Sequence, residues 1–295
     1  MPIPDSSVRC ALLFGGTGPI GRRVLERLLA RGWRVAALSR GVQPRRAGVE
    51  WREGALPDAA GEGDGFDAIL SCGPLDLFSQ WYAGTPTGAA PVVAFGSTSV
   101  HVKGDSPDAA ERDLAARLRD GEARVAQAAG GRGACVTLLR PTLIYGGGGD
   151  RSLSRIAALA RRHGFFPLPD DARGLRQPVH VDDLADAALA ALARTGSGVR
   201  AYDLPGGETL SYRDMVVRTL ASLDPPVRPW LLPSTLFALA AAVARRFGLH
   251  DAAPAVLARM RQDLAFDDVP ARRELGYAPR RFEPDAGMFG ARETD

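Results

Sequence analysis

The chain has 295 residues, 45% of them hydrophobic and 24% charged, the balance of a globular protein able to bury a sizeable core. No apolar run reaches the ~18 residues of a membrane helix; the longest, Leu231 to Ala244, is Ala-rich, interrupted by Pro233 and expected as a packed helix. The net charge of +3 comes from 37 basic residues scattered among 34 acidic ones, and only Lys103 is a lysine, which argues against a nucleic-acid partner.

The N-terminal MPIPDSSVR has no apolar signal core, so a cytoplasmic location is expected. Val8 to Phe14 is a nearly continuous apolar run, the pattern of a strand covered on both faces. Gly15, Gly16 and Gly18 follow as a tight turn, and Pro19 suits the first turn of a helix, where its missing N–H costs nothing. Ile20, Val24, Leu25, Leu28 and Leu29 then recur at helical spacing until Gly32 ends the helix, and Gly21 lets it pack closely on the strand. Such a turn aims free N–H groups and the positive helix end at one point, which suits a pyrophosphate. Bound between a buried strand and an amphipathic helix, the motif predicts a dinucleotide site.

Arg34 to Leu38 reads as the second strand. An NAD site usually closes that strand with a carboxylate for the ribose 2′-hydroxyl. Here Ser39 and Arg40 stand there, with Arg45 and Arg46 behind, so NADP(H) is expected over NAD(H) because a guanidinium can fork onto a 2′-phosphate. Cys10, Cys72 and Cys135 lie in apolar runs that read as buried strands, and their odd number and spacing fit reduced core thiols rather than zinc. The four histidines are dispersed without paired spacing, so no metal site is expected.

GGTGPIG (15–21) resembles the fingerprint of the extended and atypical short-chain dehydrogenases/reductases, and later segments agree in order. DAILSCGP (67–74) resembles the fourth strand and its small-residue turn beside the cofactor, and VVAFGSTSVH (92–101) the fifth strand with its active-site serine. VTLLRPTLIYGGG (136–148) resembles the sixth strand with its Arg-Pro…Tyr-Gly turn, and RQPVHVDDLADAALAAL (176–192) the seventh strand and an Asp-rich helix start. YDLPGGETLSYRDMV (202–216) and RRELGYAPRRF (272–282) resemble ends of the substrate lobe. The likeness is greatest to the NAD-dependent epimerase/dehydratase type, including nucleoside-diphosphate-sugar epimerases.

The resemblance implies an α/β Rossmann-type doubly wound parallel sheet with a smaller C-terminal substrate lobe. The expected division is residues 1–145 and 176–203 for the cofactor domain, and 146–175 and 204–295 for the lobe. It implies cofactor contacts from Gly15, Thr17, Gly18, Pro19, Ile20 and Gly21, from Ser39 and Arg40, from Gly73 and Pro74, from Gly96 and Ser97, and from Pro141. Alternating apolar strands and Ala-, Leu- and Arg-rich helices give the same architecture less sharply. A small-molecule substrate is the expected partner, a second copy of the chain is a candidate one, and a membrane is not.

Family chemistry uses Tyr-x-x-x-Lys on one helix, where the ammonium lowers the phenol pKa for proton exchange with substrate. If Glu122 is the glutamate that commonly follows the lysine by four, the pair falls on Leu118 and Leu114, and residues 109–129 hold no Tyr or Lys at all. This stretch is expected as a helix from about residue 107, presenting Leu114, Leu118 and Val125 to the core, with Gly121 marking a kink or close contact. The Asn that nucleotide-sugar enzymes place in the Arg-Pro turn is Leu143, and the usual Val-Tyr-Gly after the serine strand reads Val100-His101-Val102. Ser97 and Tyr145 remain as candidate catalytic residues, with His101 and Lys103 as further proton sources. His180 is expected to orient its turn, and Asp182 or Asp183 to cap the next helix.

Three functions stay open. One is an NADP(H)-dependent oxidoreductase or epimerase/dehydratase-like enzyme with a non-standard acid/base set, acting on a small carbonyl, hydroxyl or sugar-type substrate. The others are a noncatalytic NADP(H)-binding accessory protein and a redox-sensing partner.

Overall fold

The structure is a computed structural model, and it describes residues 8–59, 63–148, 152–237 and 254–289. β1 (Cys10–Phe14) and α1 (Pro19–Ala30) lead to β2 (Arg34–Ser39), β3 (Val49–Glu53), β4 (Ala68–Ser71), α2 (Leu75–Gly84) and β5 (Val92–Phe95). The short α3 (Ser99–Val102) and the long α4 (Ala109–Arg132) precede β6 (Cys135–Pro141) and β7 (Ile144–Tyr145). Then come α5 (Leu153–His163), β8 (Phe166–Pro169), β9 (Leu175–Arg176), β10 (Val179–His180), α6 (Val181–Ala191) and β11 (Gly198–Leu204). β12 (Leu210–Ser211), α7 (Tyr212–Ala221), β13 (Pro229–Leu232), α8 (Pro254–Arg261) and α9 (Val269–Leu275) follow.

Seven strands form one parallel sheet in the order β11-β6-β5-β4-β1-β2-β3. Alternate residues of each strand enter opposite cores, as a period of two demands. Ala11 and Leu13 of β1 face a core closed by α1 and α6, whereas Leu12 and Phe14 face one closed by α2 and α4. The strand order turns back at β1, with β4 on one side and β2 on the other, so the crevice for a ligand opens at the carboxyl end of β1. A third apolar cluster gathers Tyr145, α5, Leu168, α7, Met260, Phe282 and Phe289 apart from the sheet. No helix of the described residues is long and apolar enough to cross a membrane.

Two sequence readings need correction. The stretch 176–180 is not a strand of the main sheet: β10 pairs only with β7, and the position beside β6 belongs to β11. β3 was not expected, because its half-exposed VEWRE carries two carboxylates and an arginine and sits at the sheet edge, where burial leaves no two-faced apolar signature. The run from Leu231 opens in β13, and its part beyond residue 237 lies outside the described residues.

α4 spans 24 residues, its start capped by the Asp108 carboxylate accepting from the Ala110 N–H at 2.9 Å and its end by Gly133 in the left-handed region. Leu118 and Val125 are buried as expected, and Leu114 is partly buried against the same core. Gly121 brings α4 close to α2: a methyl group there would lie 3.4 Å from the Leu75 carbonyl oxygen.

Candidate functional site

The turn after β1 is built from absent side chains. Gly15 has φ +74°, and a Cβ on it would stand 2.8–2.9 Å from backbone atoms of Cys72 and Gly73. Gly21 has no room for a Cβ beneath the Gly15 carbonyl, so α1 starts directly against the strand. The Gly18 N–H donates to the Gly15 oxygen at 3.0 Å, and Gly18 caps α1 with no side-chain partner for the helix. The first N–H groups of α1 are thus left for an anion, with Thr17, Pro19 and Ile20 around them. This cradle fits the pyrophosphate of a dinucleotide.

At the end of β2 the Ser39 hydroxyl donates to the Gly41 carbonyl at 2.8 Å and accepts from the Gln43 amide at 3.1 Å. It holds the following loop in shape. Arg40, Arg45 and Arg46 are exposed and make no ion pair among the described residues. Arg45, Arg46, Trp51 and Arg52 line a cavity of about 640 Å³ between that loop and β3.

On the other side of β1, Cys72 continues the pairing through its N–H to the Phe14 oxygen, Gly73 abuts Gly15, and Pro74 caps α2. Burial pushes the Cys72 thiol up to about 12, so it stays protonated at neutral pH. Gly96 and Ser97 end β5; the Ser97 hydroxyl donates to Ser99 Oγ at 3.0 Å and accepts from the Ser99 N–H at 3.1 Å. The Pro141 carbonyl accepts from both the Thr98 N–H and hydroxyl at 3.2 Å, joining the ends of β5 and β6.

Tyr145 is placed in packing rather than at an open cleft. It is fully buried, its ring meets His180 and Phe282 edge-on, and its hydroxyl donates to the Arg281 carbonyl at 3.3 Å. Burial pushes its phenol up to about 12. Tyr202 donates to Glu274 at 2.5 Å and Tyr277 to the Pro205 carbonyl at 2.7 Å; both lie under the sheet. Tyr212 packs against the Arg176 guanidinium. Lys103 is bound 3.2 Å from the buried Glu111, which also takes the Ser106 hydroxyl and pairs with Arg259 of α8. Glu111 thus ties α4 to α8, and Lys103 is held in an ion pair with it rather than standing as a free proton source.

His180, rather than Asp182 or Asp183, caps α6: its Nδ1 accepts from the Asp182 N–H at 3.2 Å. Asp182 and Asp186 hold Arg27 of α1, while Asp183 accepts from the Arg280 N–H and Nε at 3.0 and 2.9 Å. Sequence reasoning missed Arg140 and Asp203, which meet only through pairing of β6 with β11. Arg140 forks onto Glu122 at 2.7 and 2.5 Å.

No protein-family model matches the sequence. A 2-alkyl-3-oxoalkanoate reductase of Stenotrophomonas maltophilia (strain K279a) is 26% identical over 319 residues, covering 91% of this chain and 94% of the reductase. The UDP-glucuronic acid 4-epimerase of Bacillus cereus, solved in complex with NAD, superposes with a TM-score of 0.67 at 12% identity, over 92% of this chain and 93% of the epimerase. The terminal R domain of the myxalamid PKS-NRPS biosynthetic pathway gives 0.68 at 18% identity, over 97% and 89%. The fold is the one shared by this NAD-bound epimerase and the R domain. Where the resemblance implies a Tyr-x-x-x-Lys pair, the structure places leucines: Leu118 lies in the core beneath α2, and Leu114 packs beside it.

Proposed function

We propose that this chain is an NADP(H)-dependent oxidoreductase that reduces a small carbonyl substrate with an acid/base set other than Tyr-x-x-x-Lys. The observation that carries this reading is the glycine cradle of Gly15, Gly18 and Gly21 with exposed Arg40, Arg45 and Arg46 at the adenosine end. A guanidinium there meets a 2′-phosphate with a charge-assisted, forked contact, and no carboxylate closes β2 to repel it. A bound dihydronicotinamide supplies hydride chemistry; the protein supplies position. Gly15, Thr17, Gly18, Pro19, Ile20 and Gly21 hold the pyrophosphate, Ser39 and Arg40 the ribose phosphate, and Gly73, Pro74, Gly96, Ser97 and Pro141 flank the other half. The apolar cluster around α5 and α7 forms the lobe that covers substrate.

Two observations favour a carbonyl compound over a nucleotide sugar. The relative aligned over most of the chain is a reductase of 2-alkyl-3-oxoalkanoates. The position of the phosphate-binding Asn is Leu143, packed against the third core. The test is titration with NADPH and NADH, followed by NADPH oxidation on ethyl acetoacetate, its 2-alkyl derivatives and UDP-glucose. Arg40→Asp removes a charged hydrogen bond worth about 1.5–3 kcal/mol, so the preference for NADPH should fall at least about tenfold. Equal affinities in the unaltered protein refute the NADP(H) assignment, and tight binding without turnover of any carbonyl moves the chain to the noncatalytic class.

A further inference from the structure

β5, β6 and β11 are neighbours in the sheet, and their carboxyl ends carry Ser97, Arg140 and Asp203. Arg140 stands opposite Asp203 in the register. Over these ends lies α3, which begins two residues beyond Ser97 and carries His101. His101 Nε2 is 3.0 Å from Asp203 Oδ1, a carboxylate partner in the orientation that fixes a ring tautomer. Arg140 Nη1 lies 3.5 Å from the same nitrogen and 3.8 Å from Asp203 Oδ1, while its other nitrogens are forked onto Glu122 of α4. Arg140 is therefore held from behind and braces both members of the pair. With Nε2–H donated to Asp203, the second ring nitrogen is turned away, and Nδ1 has no hydrogen-bond partner among the described residues.

The cofactor reading sets the direction of the site. The pyrophosphate turn is at β1 and the arginines for the adenosine half are beyond β2, so a nicotinamide half would extend over the ends of β4 and β5 toward Ser97. That is the side on which the usual phenol is missing and His101 stands, its side chain 39% exposed.

Resting on the oxidoreductase reading above, we propose that His101 is the catalytic acid that replaces the missing phenol, with Asp203 as its positioning residue. A bound dihydronicotinamide would supply a hydride to the substrate carbonyl carbon. The carbonyl π pair moves to oxygen, which takes the proton from the imidazolium Nδ1 while Ser97 holds that oxygen. The products are an alcohol, oxidised nicotinamide and neutral imidazole, which regains its proton from solvent. The groups facing the ring are Asp203 from β11, Arg140 from β6 and the neutral ring of Phe266, 6.0 Å away between centroids, from the segment before α9.

Two measurements test this. Imidazole ¹⁵N NMR of the cofactor-free protein should show His101 as the Nε2–H tautomer, lose that preference in Asp203→Asn, and show a His101 shift on addition of NADP⁺. In NADPH oxidation with ethyl acetoacetate derivatives, His101→Gln should lower kcat by about 10²–10⁴-fold, with the Kd for NADPH unchanged. Asp203→Asn should lower kcat by about tenfold without changing the NADPH Kd. His101→Gln with wild-type kcat overturns the proposal while leaving the oxidoreductase reading intact. Failure of the wild-type protein to bind NADPH, or to reduce any carbonyl while binding it, refutes that reading and the dyad with it.

Discussion

Glu122→Gln tests the brace behind the candidate site. The substitution keeps the volume of the side chain and removes the charge that Arg140 meets through two hydrogen bonds of 2.7 and 2.5 Å. Both side chains are largely buried, at 19% and 13% exposed, and the pairing with Glu122 raises the Arg140 pKa further. Breaking a buried pair by removing one partner costs about 3–5 kcal/mol. Gln still accepts one hydrogen bond and Asp203 remains 3.8 Å from Arg140, so the expected loss is about 2–3 kcal/mol. At about 2–4 °C per kcal/mol, Tm should fall by about 4–12 °C at neutral pH, measured by circular dichroism or calorimetry. Replacing both partners together, Glu122→Leu with Arg140→Met, should cost less than the two single changes added, because no charge is left uncompensated. A Tm within about 1 °C of wild type for Glu122→Gln, or strict additivity in the double variant, would refute the reasoning.

Gly18→Val should abolish NADPH binding while leaving the far-ultraviolet spectrum unchanged, because even a Cβ there lies 3.3 Å from the Gly15 oxygen and the branched methyls fill the space over the turn; normal titration would place the cofactor elsewhere. Tyr145→Phe should keep NADPH oxidation within about threefold of wild type and cost about 1 kcal/mol or less in denaturant unfolding, since the hydroxyl makes one 3.3 Å bond to a carbonyl; a hundredfold loss of kcat would return Tyr145 to the chemistry. Burial, aided by Arg280, lowers the His180 pKa below its ordinary 6.5, and its Nδ1 must stay unprotonated to cap α6. That contribution is complete above 6.5 and is lost as pH falls toward the lowered value. In His180→Asn the fall in Tm from pH 7 to 5 should therefore be shallower than in wild type, and an unchanged slope would count against a neutral cap.

The glycine turn after β1 was legible in the chain because its requirements are local. Gly15 needs a positive φ, Gly21 needs contact with Gly15, and Pro19 needs a first helical turn, and all three demands fall within seven residues. The buried strands were legible where both faces are apolar, as in Ala68–Ser71 and Val92–Phe95, and β3 was not because an edge strand exposes much of itself. The cap of α6 was misassigned because Asp182 and Asp183 look like caps in sequence. Their carboxylates are taken by Arg27 and Arg280, which lie far away along the chain.

The glycine turn, the arginines after β2 and the absence of Tyr and Lys from α4 were determined by the sequence itself, since each rests on composition or on spacing within one element. The meeting of His101, Asp203, Arg140 and Glu122 was decided only by the tertiary structure. His101, Glu122, Arg140 and Asp203 come from four elements spread over a hundred residues, and no periodicity links them. They meet because β6 pairs with β11 in a register that sets Arg140 beside Asp203, while α3 and α4 carry His101 and Glu122 to the same strand ends. Charges that must be desolvated together select partners by distance in space, and that distance exists only after the sheet has formed.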